Sequence, residues 1–285
     1  RRQRQMCIRD RAKVLALKDF SWEISAGLGH YKNEVTALPD GDKPVYTSLY
    51  GGEVVTQVGG PVGLFYGYKT QGVFSTSEDA AFAGLRDGRA DGDVFRGGDM
   101  HFADLVADGV IDEKDKTVIG DPNPDIFGNF GTSLHYKNWT LNAFFSYSLG
   151  NDIYNYQRAV LEGGSTYYNQ TTAVLNRWTS EGQVTEIPRA ELGDPMGNSR
   201  FSDRWIEDGS YLKLKTLSLS YRIPFNYTFL QGITVWAAAN NVFTCTKYLG
   251  SDPELSISSS AVGQGIDRGL LGRGRSFVLG VKINL

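Results

Sequence analysis

Hydrophobic and polar residues alternate with period two over several stretches of the chain, the pattern of strands with one apolar face. In Trp139 to Leu149 the residues Trp139, Leu141, Ala143, Phe145, Tyr147 and Leu149 share one side. Thr140, Asn142, Ser146 and Ser148 share the other, with Phe144 as the exception. Ile233, Val235, Ala237 and Ala239 repeat the pattern opposite Thr234 and Asn240. The end of the chain does so again, with Phe277, Leu279, Val281, Ile283 and Leu285 on one face and Ser276, Gly280, Lys282 and Asn284 on the other. From Tyr211 to Tyr221 the alternation slips phase near Lys215, which predicts a β-bulge there. Phe20 to Tyr31, Gly60 to Phe74 and Ile126 to Lys137 complete a set of seven predicted strands.

The predicted connections are unequal. Lys137–Asn138 is a tight turn, and Pro224 stops a strand before a short link to Gly232. Residues 75–125, 150–208 and 244–273 are long excursions, uncommon in a compact soluble domain and normal on one side of a membrane barrel. Counting back from the last strand places all three on one side. The link 32–59 then falls on the wrong side for its length, with Val54–Val58 as a small extra hairpin arm.

Composition narrows the class. The 285 residues hold 34 Gly, 15 Tyr, 15 Phe and 5 Trp, which disfavours both disorder and a helical bundle. A mean hydropathy of -0.30 is compatible with a barrel, because lipid-facing and lumen-facing residues average out. The net charge of -3 and the lack of a basic stripe argue against nucleic acid as a partner. The first eleven residues, RRQRQMCIRDR, carry five arginines and resemble translated sequencing-adapter read-through. Without them the charge is -7. The expected division is therefore 1–11 as non-native sequence and 12–285 as the protein, whose own start lies upstream.

Candidate chemistry is sparse. Asp104 to Asp115 resembles a twelve-residue calcium loop, with Asp104, Asp108, Val110 (backbone carbonyl), Asp112 and Asp115 at ligand positions and Gly109 at the sharp turn. Val106 stands at the third position, one oxygen short. No other cofactor is indicated. His30, His101 and His135 have no metal-ligand spacing. Asp203, Glu207 and Asp208 sit among Arg200 and Arg204 and read as salt bridges. No nucleophile with a base stands out, so an enzyme is not expected. Trp22, Tyr31, Tyr66, Tyr136, Trp139, Tyr211, Tyr221, Trp236 and Tyr248 lie near predicted strand ends, where interfacial girdles place aromatics. The rival from pattern alone is a secreted soluble β-sandwich that binds carbohydrate and carries a calcium loop.

The strings GGPVGLFYGYKTQGVFSTSEDA, GDMHFADLVADGVIDEKDKTVIGDPNPDIFGNFGTSLHYKNWTLNAFFSYSLGNDIYN, RFSDRWIEDGSYLKLKTLSLSY and NNVFTCTKYLGSDPE resemble the C-terminal part of the SusC/RagA family of TonB-linked outer-membrane transporters, over residues 17 to 285. The resemblance implies an all-β fold, a partial antiparallel transmembrane β-barrel made of the C-terminal strands of a 22-stranded barrel with a plug. It implies nutrient import across the outer membrane, of glycan, oligosaccharide or peptide. The implied partners are a SusD-like surface lipoprotein, the TonB complex through an N-terminal region absent here, the barrel-assembly machinery and outer-membrane lipid. Asn142, Ser146, Ser218, Lys282 and Asn284 would line the lumen. Tyr154, Tyr156, Tyr167 and Tyr168 would be loop aromatics able to stack on sugars. Phe277, Leu279, Val281, Ile283 and Leu285 would form the assembly signal, although the family's terminal residue is typically aromatic. The family usually has Asn or Asp where Val106 stands and Trp where Cys245 stands, which makes Cys245 a lone loop thiol.

Overall fold

A computed structural model describes residues 2–89, 93–224, 232–258 and 260–284, with residues 2–7 described by backbone alone. Seven long strands form one antiparallel sheet. They are β1 (Arg2–Ala16), β2 (Phe20–Glu34), β3 (Ile126–Tyr136), β4 (Trp139–Leu149), β5 (Tyr211–Ile223), β6 (Gly232–Thr246) and β7 (Ser276–Asn284). Spatial order follows chain order throughout, so every pairing is between consecutive strands of the wall.

Five of the seven predicted strands are β3 to β7, and Phe20 to Tyr31 lies within β2. Gly60 to Phe74 is different. It breaks into two short strands, Leu64–Gly67 and Thr70–Val73, outside the wall. Its Leu64, Phe65 and Tyr68 are buried among other loop residues, so its apolar positions serve a packed core. The seventh wall strand is β1, which takes in residues 2–11 of the opening stretch and pairs with β2 from Arg2↔Glu34 to Ala16↔Ser21. This removes the misplaced link: residues 35–125 are one excursion. All three excursions, 35–125, 150–210 and 247–275, leave from one end of the sheet. The connections at 17–19, 137–138 and between Ile223 and Gly232 lie at the other.

Local chemistry explains the connections. Lys137 adopts φ 52° in a two-residue turn that puts Tyr136 opposite Trp139. Pro224 follows the last residue of β5, as its missing N–H requires. The bulge falls where the alternation slips: pairing jumps from Leu214 to Thr216 against both β4 and β6. Lys213 and Lys215 therefore keep the polar face, while Leu217 resumes the apolar one.

The two faces differ as the alternation predicts. The polar face carries a cross-strand ladder: Ser133 Oγ donates to Asn142 Oδ1 at 2.7 Å, Asn142 Nδ2 to Ser218 Oγ at 3.4 Å, and Asn240 Nδ2 to Ser276 Oγ at 3.1 Å. The apolar face has no protein layer over it among the described residues. Trp22, Ile24, Leu28, Trp139, Leu219 and Val235 are each more than a third exposed.

The packed core sits in the excursions. One cluster joins Tyr68, Phe74, Phe95, Phe102, Ile111 and Met196. A second joins Val54 and Phe65 from the first excursion, Tyr154 and Trp205 from the second, and Ile266 from the third. Asp152–Asn155 pairs with Ile206–Asp208 of its own excursion and, in parallel, with Ile266–Asp267 of the third, and the Asp152 N–H donates to the Asp121 carbonyl of the first at 2.7 Å. The predicted arm near Val54 is a hairpin, Val45–Leu49 with Gly52–Thr56.

Candidate functional site

The polar face and the excursions meet at a buried ionic clasp. Lys213 projects from β5 and is 2% exposed. Its Nζ lies 2.7 Å from Asp252 Oδ2 and 2.9 Å from Glu254 Oε2, both on the third excursion. Lys215 joins Glu254, and Tyr211 Oη donates to Glu254 Oε1 at 3.0 Å. Burial alone would raise the Glu254 carboxyl, but the ammonium groups of Lys215 and Lys213 outweigh it and hold it below the ordinary glutamate value. Ordinary alternation sets the two lysines of the LKLK run on the same side, and the bulge at Lys215 then shifts the phase so that Leu217 returns to the apolar face. A buried pair of this kind fixes position more than it adds stability; here it fixes the third excursion against the wall.

The acidic residues singled out in the sequence are committed to structure. Asp203 accepts from the Thr70 N–H at 3.0 Å and hydroxyl at 2.6 Å. Glu207 pairs with Arg158 at 2.8 Å rather than with Arg200 or Arg204. Asp208 accepts from the Ser210 N–H at 2.9 Å. Trp205, fully buried, has the guanidinium carbons of Arg204 and Arg158 at 4.2 and 5.5 Å from its ring. Burial pulls the Arg204 guanidinium down to about 10, which leaves it cationic at neutral pH.

The twelve-residue acidic loop turns its carboxylates onto its own backbone. Asp104 accepts from the N–H of Ala107 at 2.6 Å and of Gly109 at 2.8 Å. Asp115, 1% exposed, accepts from Leu105 at 2.8 Å and Asp112 at 2.9 Å. Asp108 and Asp112 share the Lys114 ammonium at 3.4 and 3.3 Å. Those two carboxylates, Asp112 foremost, hold Lys114 above its ordinary value. Gly109 adopts φ 78° at the predicted sharp turn. Val110 forms a short parallel bridge with Arg86, and Val106 is exposed. Among the described residues no group of three or more His, Cys, Asp or Glu is arranged to hold a metal ion.

The four loop tyrosines divide. Tyr154 is 3% exposed and donates its hydroxyl to the Tyr50 carbonyl at 3.0 Å. It packs at 4.7 Å from Phe201, and burial pushes its phenol up. It is a core residue, because its strand is central to the three-way junction. Tyr156 is half-buried against Tyr50 and Tyr154. Tyr167 and Tyr168 are 89% and 71% exposed, open to a ligand.

Aromatics at the turn end do form a belt of Trp22, Tyr136, Trp139 and Tyr221. Trp139 and Tyr221 rings lie 4.6 Å apart, and Trp22 Nε1 donates to Thr132 Oγ1 at 2.8 Å. Others in the predicted girdle do not. Trp236 lies on the polar face, where a side chain at Gly280 would run into its ring. Tyr31 reaches Asn123 in the first excursion, Tyr211 closes the clasp, Tyr66 belongs to a loop strand and Tyr248 is buried against Asp267. Cys245 also differs from expectation: it lies inside β6, opposite Leu212, on the apolar face. Phe277, Leu279, Val281 and Ile283 line the exposed apolar side of the edge strand β7, and Leu285 lies outside the described residues.

Sequence reasoning missed one cleft. Tyr66, Tyr68, Phe201, Arg89, Lys116 and Glu53 line a recess of about 320 Å³. They come from positions 53 to 201, and no spacing in the chain links them. Aromatic faces beside charged donors suit a polar solute, and the recess opens between the first and second excursions.

A sheet greasy on one side, hydrogen-bonded on the other and looped at one end is the wall of a transmembrane β-barrel. No protein-family model matches the chain. It is 34% identical over 281 residues to TonB-dependent receptor P3 of Formosa agariphila, covering 93% of this chain and 27% of that protein. It is 26% identical over 288 residues to TonB-dependent receptor SusC of Bacteroides thetaiotaomicron, covering 95% and 25%. Among solved structures it superposes on the RagAB peptide importer in the open-open state with TM-score 0.77 at 21% identity, covering 99% of this chain and 28% of that one. The closed-closed state gives 0.74 at 23% identity. Sequence and fold agree that the chain corresponds to a part of a SusC/RagA-like TonB-dependent receptor, a family of outer-membrane proteins. It spans about a quarter of the length of the curated relatives it matches.

Proposed function

We propose that the chain forms part of the wall and external mouth of an outer-membrane importer that draws a nutrient, a glycan, oligosaccharide or peptide, through its lumen. The observation that carries this is the two-faced sheet with every long excursion at one end. An apolar face of this extent is stable only against lipid or another apolar layer, and the excursions bury their own core without covering it. The soluble β-sandwich reading needs that second layer.

In this reading the polar ladder lines the lumen and the excursions face the cell exterior. There a SusD-like lipoprotein docks on them, and cargo meets the Tyr66–Arg89 recess together with Tyr167 and Tyr168. Energy reaches the transporter through a TonB-contacting region outside this chain. The assembly machinery reads Phe277, Leu279, Val281, Ile283 and Leu285. The import itself needs no covalent chemistry from these residues. The acidic loop is a self-satisfied turn rather than an ion site. We read residues 1–11 as foreign, because the register of residues 2–11 sets Asp10 on the apolar face opposite Ala26, where a charge is costly.

The test is fractionation and growth of a strain carrying the complete tagged gene. The product is expected in the outer membrane, and its deletion is expected to abolish growth on one glycan or peptide class. Recovery in the aqueous fraction overturns the reading.

A further inference from the structure

The outward, apolar face is not evenly filled. Near the loop end, Gly128, Tyr147, Leu212 and Cys245 stand in register across β3, β4, β5 and β6. This row has low relief. Gly128 has no side chain, Cys245 a small one, and Tyr147 leans over Gly128 with its hydroxyl 3.3 Å from the Gly27 carbonyl oxygen. Two residues closer to the turns the row is bulky: Phe130, Phe145, Leu214 and Phe243, with Phe130 and Phe145 stacked at 4.5 Å. On the loop side a polar rim of Asp208, Ser210, Thr246 and Lys247 closes the space. Between rim and bulky row lies a lateral trough of about 500 Å³, within the range of small-ligand sites of about 300–1,000 Å³.

We propose that this trough seats one acyl chain of a phosphate-bearing lipid of the external leaflet, with its phosphate at Lys247. The inference rests on the membrane reading given above. Its occupant follows from three features. The floor is continuous with the lipid-facing surface, so lipid is the medium that meets it. The floor is apolar, and a recess without polar partners does not hold water. The rim stands at the level where strands give way to loops, which is where headgroups lie. There Lys247 is the cation, while the Asp208 carboxylate already accepts from Ser210. All four strands of the trough belong to this chain, so no further part of a barrel is needed to form it.

The complete receptor, extracted from outer membranes in mild detergent, is examined by native mass spectrometry with the co-purifying lipids identified. Wild type is expected to retain one phosphate-bearing lipid. Cys245→Trp fills the floor and is expected to cut the occupied fraction about tenfold, as is Leu212→Trp, which serves if the first variant fails to assemble. Lys247→Gln is expected to lower retention of phosphorylated lipid and leave uncharged lipid unchanged. Equal occupancy in wild type and the filled variants overturns the proposal. So does a protein that co-purifies with wild type in place of lipid and is lost from the filled variants. A wild-type receptor missing from the outer-membrane fraction strikes the membrane reading itself. Normal fractionation with unchanged lipid strikes only the trough.

Discussion

The wall and the excursions are built from similar residues and packed in opposite senses. In the excursions Trp205, Phe65, Phe102 and Ile111 are fully buried, and charged groups are paired around them. In the wall Phe277 and Leu279 are more than four-fifths exposed, while serines, asparagines and lysines make the internal contacts. One part folds against water by hiding its apolar groups. The other meets hydrocarbon, where unpaired polar groups are the costly ones. The clasp at Lys213 is where the two regimes join, and there a buried charge is tolerated because both partners are supplied.

Five substitutions separate the regimes. Trp205→Ala opens the three-way junction and should cost about 3–5 kcal/mol. Limited proteolysis of the complete receptor should then cut within 150–210 while membrane insertion persists. Loss of insertion would show that wall and excursions fold as one unit. Lys213→Met leaves Asp252 buried without its cation and Glu254 with Lys215 alone, a loss of about 3 kcal/mol or more, seen as faster amide exchange in 247–275. The same clasp has a pH sign. The Glu254 carboxyl is depressed in the folded state, so its pairing stabilises above the ordinary value of 4.5 and is lost as pH falls beneath it. Protection of 247–275 should therefore fall in acid, and a rise in protection there would contradict the pairing.

On the wall, Leu217→Arg puts a charge on the lipid face near mid-strand and should cost about 2–4 kcal/mol, whereas Ser218→Arg next to it, on the polar face, should be nearly neutral by denaturant titration in micelles. Equal costs would mean that the faces are misassigned. The smallest effect is Thr132→Val, which removes the acceptor for the Trp22 indole and should cost about 0.6 kcal/mol, read by the same titration.

How much of this was legible depended on whether a feature was local. The alternation in Trp139 to Leu149, the Lys137–Asn138 turn, the stop at Pro224 and the slip at Lys215 all stand in the structure where the pattern put them. Gly60 to Phe74 shows the limit. Its apolar residues suit a short buried loop strand as well as a wall strand, and only its partners, among them Phe201 and Trp205 far along the chain, decide between them. Tyr154 fails for the same reason: nothing in DIYN distinguishes a ligand platform from a core residue. The acidic loop matches an ion-binding spacing, yet backbone N–H groups and Lys114 take up its carboxylates. Pattern records which oxygens are present, not which way they turn.

By itself the sequence determined the period, the faces and the family likeness, because side-chain alternation is a property of consecutive residues. The tertiary structure alone decided that the first strand lies at the amino end, that two lysines on one strand close on Asp252 and Glu254, and that Cys245 opens toward lipid. Those outcomes depend on register between segments distant in the chain, and a shift of one residue in any of them would exchange the two faces.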